Sequence, residues 1–142
     1  MILAAYSDNA PMDDYQDPEW IAKLKRRHPT MFEGIERYNF SCGEGWRPIL
    51  EKLCATVAAM ELPELRVVQV KEKFGGLRFY VHNANSAVHA AIEVAEREAA
   101  KVCEQCGAPG VSDQRTGHGY TGWIKTLCAG CRAVRDEKKR AG

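Results

Sequence analysis

Four cysteines carry the clearest chemistry in this sequence. Cys103-Glu104-Gln105-Cys106 and Cys128-Ala129-Gly130-Cys131 are two Cys-x-x-Cys pairs separated by 21 residues. A two-residue spacer lets both sulfurs of a pair reach one ion, and two such pairs complete a tetrahedron of thiolates. Zinc, one structural ion per chain, is the expected occupant. An iron centre of similar ligation and a redox dithiol are the other chemistries of this pattern. Four thiolates leave no open position for water, so a site of this kind holds structure and does not catalyse. Gly107 and Gly130 beside the pairs let the backbone turn tightly and aim N–H groups at sulfur. The Gly-rich stretch between the pairs, ending in Gly122-Trp123-Ile124-Lys125-Thr126-Leu127, has the make-up of a zinc-ribbon hairpin. Trp123 is expected to pack on that ribbon or on the third helix, an exposed anchor being the alternative.

The remaining reactive side chains form no constellation. Cys42 and Cys54 are not spaced as a pair and are expected as buried thiols. His28, His82, His89 and His118 stand at no ligand spacing. No nucleophile elbow, phosphate-cradling loop or His-Glu-x-x-His motif is present. The expectation is a protein that is not an enzyme; a small metal-assisted enzyme would need a second, open site.

Composition narrows the class further. Hydrophobic residues make up 45% and charged residues 27% of the 142, which is ordinary for a globular protein and argues against disorder throughout. No apolar run approaches the ~18 residues of a membrane span. Met1 to Tyr6 lacks a basic lead and a full apolar stretch, so no secretory signal is expected. Paired cysteines then point to a metal site in a reducing compartment. Charge is graded along the chain: −3 over 1–44, +1 over 45–102 and +3 over 103–142. One zinc on four thiolates would bring the net +1 to near −1. That leaves no strong long-range pull on phosphate, although local basic patches remain.

The elements that must position the cysteines follow from apolar periodicity. Residues 1–16 read as a mobile acidic lead, 17–102 as a helix-helix-hairpin-helix core, and 103–142 as the ribbon with a basic tail. The first helix starts near Asp17, read as its cap, and ends at Pro29, with Trp20, Ile21, Leu24 and His28 at helical spacing. Residues 33–44 read as a connection. The second helix covers 46–60 and the third 86–102, each with one apolar stripe. Between them, 65–72 and 77–82 read as strands turning on Gly75-Gly76. In that register Lys73 faces Arg78 and Lys71 faces Tyr80. One face then collects Val68, Val70, Phe74, Leu77, Phe79 and Val81, and the other Gln69, Lys71, Lys73, Arg78, Tyr80 and His82. Glu72 falls awkwardly in the apolar set, which a bulge or longer loop would relieve. The fold expected is α+β: three helices packed on a β-hairpin, with a C-terminal four-cysteine zinc ribbon.

Several stretches in this order resemble a family of small, uncharacterised bacteriophage and prophage proteins. They are Leu24 to Phe32, Cys42-Gly43-Glu44-Gly45-Trp46, Val68 to Tyr80, Cys103 to Gly110 and Trp123 to Cys131. The resemblance implies phage origin and the bacterial host cytoplasm, and it carries no established activity. The expected function is therefore a zinc-binding phage accessory protein that binds and modulates a host protein, a defence system being one such target. A nucleic-acid-binding accessory protein is the alternative, on Lys71, Lys73, Arg78, Tyr80 and the basic tail. Those four hairpin residues are the expected partner-binding surface in either case. Nothing in the sequence sets the oligomeric state, and no membrane partner is expected.

Overall fold

Apolar spacing and turn chemistry place most elements where the sequence puts them. The computed structural model describes residues 15–112 and 124–141, with side chains as far as Lys138. Most of the expected acidic lead, together with His118 and Trp123, lies outside the described residues. Helix α1 spans Glu19–Arg27 and buries Trp20, Ile21 and Leu24. Asp17 does not cap it, contrary to expectation: Pro18 holds the cap position, and Asp17 instead pairs with Lys25 Nζ at 2.8 Å. An ammonium is a stronger partner for carboxylate than a backbone N–H. Helix α2, Arg47–Ala58, follows a 3-10 turn at Glu44–Trp46 and buries Ile49, Leu50, Leu53, Cys54 and Val57. Helix α3, Ser86–Ala99, is capped by Asn85, whose Oδ1 accepts the Val88 N–H at 2.9 Å. No helix among the described residues is long and apolar enough to cross a membrane.

Three strands form the main sheet in the order β1-β2-β3, with β1 at Phe40–Ser41, β2 at Arg66–Lys73 and β3 at Gly76–His82. β1 runs parallel to β2, with Phe40 beside Val70. It lies inside the segment read as a connection, because two residues are too short to show alternation. Phe40 is fully buried, with Trp20 edge-on to it at 5.8 Å between ring centroids. Phe40, Trp46, Leu50, Val70 and Leu77 are central to a core that α1, α2 and α3 share with one sheet face.

The hairpin register differs from the expected one. Lys71 pairs with Arg78, Gln69 with Tyr80 and Lys73 with Gly76, so the turn is Phe74-Gly75. Both turn residues have positive φ, +55° and +83°, the pattern of a type I′ turn. For Phe74 that backbone costs roughly 1–2 kcal/mol. A break in register at Val68 turns Val67 into the core, leaves Val68 half-buried, and so corrects the expected apolar face. Phe74 leaves that face too and lies exposed in the turn.

The C-terminal module adds β4 at Val111–Ser112, antiparallel to β5 at Thr126–Leu127, and helix α4 at Ala129–Ala141. The architecture is α+β with a hairpin, as expected, and the module's β-ladder is only two residue pairs long. Asn85→Ala should remove the α3 cap and cost about 1 kcal/mol, while Asn85→Asp should keep it. The expected readout is a lower urea midpoint with an unchanged slope for the alanine variant alone.

Candidate metal centre

The first cysteine pair is folded by the chain leaving α3. Val102 bridges Pro109, and between them the backbone doubles back. Cys103 N–H donates to the Ala108 carbonyl at 2.7 Å, and Gly107 N–H donates to the Cys103 carbonyl at 2.9 Å. Gly107 sits at φ +88°, where a side chain would be strained. The second pair is placed by a helix start. α4 begins at Ala129, earlier than the short helix expected after Cys131, so Cys131 lies in its first turn. Cys131 N–H points at Cys128 Sγ at 3.4 Å, an N-cap geometry with sulfur in place of oxygen. Arg132 ties this helix to the ladder, donating to the carbonyls of Val111 at 2.7 Å and Leu127 at 3.2 Å.

These two constructions bring the four sulfurs together. Sγ atoms of Cys103, Cys106, Cys128 and Cys131 all lie within 4.8 Å of one another, and Cys106 and Cys128 are 3.6 Å apart. Such a set can hold a metal ion. Burial opposes ionisation of Cys103, but backbone N–H groups around its sulfur bring it down to about 6. Cys128 is lowered, first by the Cys131 N–H at the helix start. At Cys106 the Ala108 N–H favours thiolate, yet the Cys128 and Cys103 sulfurs outweigh it and raise the thiol. Cys131 is pushed up to about 12, chiefly by Cys128. Backbone N–H groups thus favour thiolate at Cys103 and Cys128, the neighbouring sulfurs oppose it at Cys106 and Cys131, and a bound cation would favour thiolate at all four.

The site is fastened to the core through the residue after Cys103. Glu104 is 6% exposed, and its carbonyl accepts the Gly45 N–H at 2.7 Å. Its carboxylate accepts the Gly43 N–H at 2.9 Å, and its own N–H donates to the Thr126 carbonyl at 2.9 Å. A side chain at Gly43 or Gly45 would collide with the Glu104 carbonyl oxygen. The Trp46 indole N–H donates to the Val102 carbonyl at 3.0 Å. Lys125 then joins three segments, with Nζ 2.9 Å from Glu72 and 3.4 Å from Glu104. Sequence reasoning missed this triad, although Glu72 in an apolar strand set was its visible sign.

Cys42 and Cys54 stay out of the cluster. Cys54 is buried and Cys42 partly so, and desolvation pushes each thiol up to about 12. Lys71, Lys73, Arg78 and Tyr80 do share one surface, the sheet face away from the core. The expected pairings within it are corrected: Lys71 faces Arg78, Tyr80 faces Gln69, and Lys73 faces Gly76. The turn slipped by one residue, which moves each partner by two and so preserves the face. Comparison with protein-family models, curated proteins and solved structures gave no match.

Burial alone would lower Lys125, but its hydrogen bond to Glu72 and the charges of Glu104 and Glu72 outweigh it and raise it. Its contribution is complete below the ordinary lysine value and is lost only as pH climbs through the raised one. Lys125→Met should therefore cost about 2–3 kcal/mol, equally at every pH from neutral to mildly alkaline. That is below the ~3–5 kcal/mol of a fully buried pair, because the ammonium keeps partial contact with water. Urea unfolding of both proteins across that pH range checks the size and the flatness.

Proposed function

We propose that this chain is a zinc-closed phage accessory protein that acts in the bacterial host cytoplasm by binding and modulating a host protein, a defence factor among such targets. The observation that carries the zinc-closed part of this reading is the convergence of four sulfurs alone among the described residues. Tetrahedral thiolates at a Zn–S distance of about 2.3 Å stand about 3.8 Å from one another. The 3.6 Å between Cys106 and Cys128 fits that cage. When bound, zinc would supply cohesion, about 10–16 kcal/mol of apparent free energy in such sites. The module has little else to fold around: its buried apolar residues among those described are Cys103 and Leu127. A closed site offers no position for substrate, which supports binding over catalysis. Phage origin and the cytoplasmic setting rest on the family resemblance.

The working surface in this reading is the outer sheet face with Lys71, Lys73, Arg78 and Tyr80. On the two strands this face carries cations and no carboxylate, since Glu72 lies opposite Leu77 on the core side. The same charge pattern favours the second reading, a phosphate backbone as partner. Salt dependence separates them: affinity for phosphate falls steeply with salt, and a packed protein interface loses less.

Freshly purified protein should contain about one zinc per chain, released on acidification because the ligands must be deprotonated. Cys128→Ser should lose the metal and first loosen 103–131 in hydrogen exchange. Less than about half an equivalent of zinc overturns the closed site. A Lys73→Glu, Arg78→Glu variant should keep fold and zinc while copurifying at least about tenfold less host protein. Undiminished recovery by that folded variant removes this face from the interface.

A further inference from the structure

The main hairpin turns on a residue ill suited to its turn. Phe74 holds φ at +55°, a conformation in which Asn before Gly is at home and a bulky side chain is not. Burial does not compensate, because Phe74 is 63% exposed. The Lys73 ammonium stands 5.7 Å from its ring centroid.

The turn is held in this state from behind. Gly75 N–H donates to Glu72 Oε2 at 2.7 Å, and the Gly75 carbonyl accepts the Thr126 hydroxyl at 2.7 Å. Lys125 fixes Glu72 in turn, and a Cβ on Gly75 would meet Ile124 at 3.2 Å. Strain that persists because its surroundings over-determine it clusters at functional positions. An aromatic carried on a backbone held in this way has less freedom to lose on binding, which is what an interface anchor needs. Its neighbours set the charge of what it meets. Lys73, Lys71 and Arg78 lie along the same sheet face, while the strand's acid, Glu72, points the other way and is neutralised by Lys125.

We propose that Phe74 anchors the partner interface: its ring enters an apolar pocket on a partner protein, and carboxylates on the pocket rim meet Lys73, Lys71 and Arg78. This rests on the protein-binding reading above. A nucleic acid is the poorer fit for this ring, because Phe74 sits in the turn and not on the ladder, where successive bases stack on a flat surface.

The test uses the full-length, zinc-loaded chain. Phe74→Asn suits the turn and should raise Tm by about 3–6 °C. A fall in Tm overturns the proposal, because the ring would then be serving the fold. In the bacterial host, p-benzoylphenylalanine in place of Phe74 should give a discrete, protease-sensitive, nuclease-resistant photo-adduct. The same group in place of Glu93, exposed on α3, should not. Lys73→Glu with Arg78→Glu should weaken the adduct. A nuclease-sensitive adduct, or none beyond the Glu93 control, overturns the anchor. If the wild-type chain still copurifies a host protein in that case, only the anchor falls; if it copurifies none, the protein-binding reading falls with it.

Discussion

Every polar group of Glu104 is engaged, through two contacts within the cysteine module and two across its seam with the core. Its N–H reaches β5, its carbonyl reaches Gly45, and its carboxylate divides between Gly43 and Lys125. A buried carboxylate is costly unless its lone pairs are satisfied. Here satisfaction requires three separate segments to arrive together. That requirement fixes where the first cysteine pair sits relative to α2, because the glycines that admit Glu104 lie at the entry to that helix. Trp46, the residue after Gly45, closes the same seam from its own side by bonding the Val102 carbonyl.

The seam explains why two unlike parts of the chain form one structure. The core closes by apolar burial, with α1, α2, α3 and the sheet contributing complementary faces. Among its described residues the cysteine module buries few apolar side chains, and its ladder has two residue pairs. Its order comes from backbone hydrogen bonds around the sulfurs, from Arg132 across the ladder, and from the triad of Glu72, Lys125 and Glu104. Lys125 also carries the influence further. By holding Glu72 it supports the turn at Phe74-Gly75, so the cysteine module and the hairpin tip share one electrostatic link.

The outer sheet face is the reverse of this arrangement. The core side takes the acid of β2 and neutralises it, and the outer side keeps the bases of both strands. Lys71 directly opposite Arg78 is mildly unfavourable for the hairpin by itself. Near-neutral overall charge and a locally basic face are thus compatible, because the two strands place no carboxylate on that face, although Glu96 of α3 lies within electrostatic reach of Arg78.

What the sequence determined by itself was whatever depends on local spacing. Two Cys-x-x-Cys pairs are readable because the ligand geometry of each pair lies within four residues, and their convergence was expected from that alone. Helices α1, α2 and α3 are readable because one buried stripe repeats every three to four residues. The set of residues on the basic face also survived the error in register, since a one-residue slip of the turn moves partners by two and keeps parity. What only the tertiary structure decided were choices between locally similar alternatives. Gly75-Gly76 and Phe74-Gly75 both supply glycine to a tight turn. The second is the observed turn, and Glu72, Thr126 and Lys125 hold it, the last two about 50 residues away. Strand β1 was invisible because two residues show no period, and its pairing with β2 joins segments 30 residues apart. The role of Glu104 was invisible for the same reason: its partners at Gly43, Gly45 and Lys125 become neighbours only when the chain has folded.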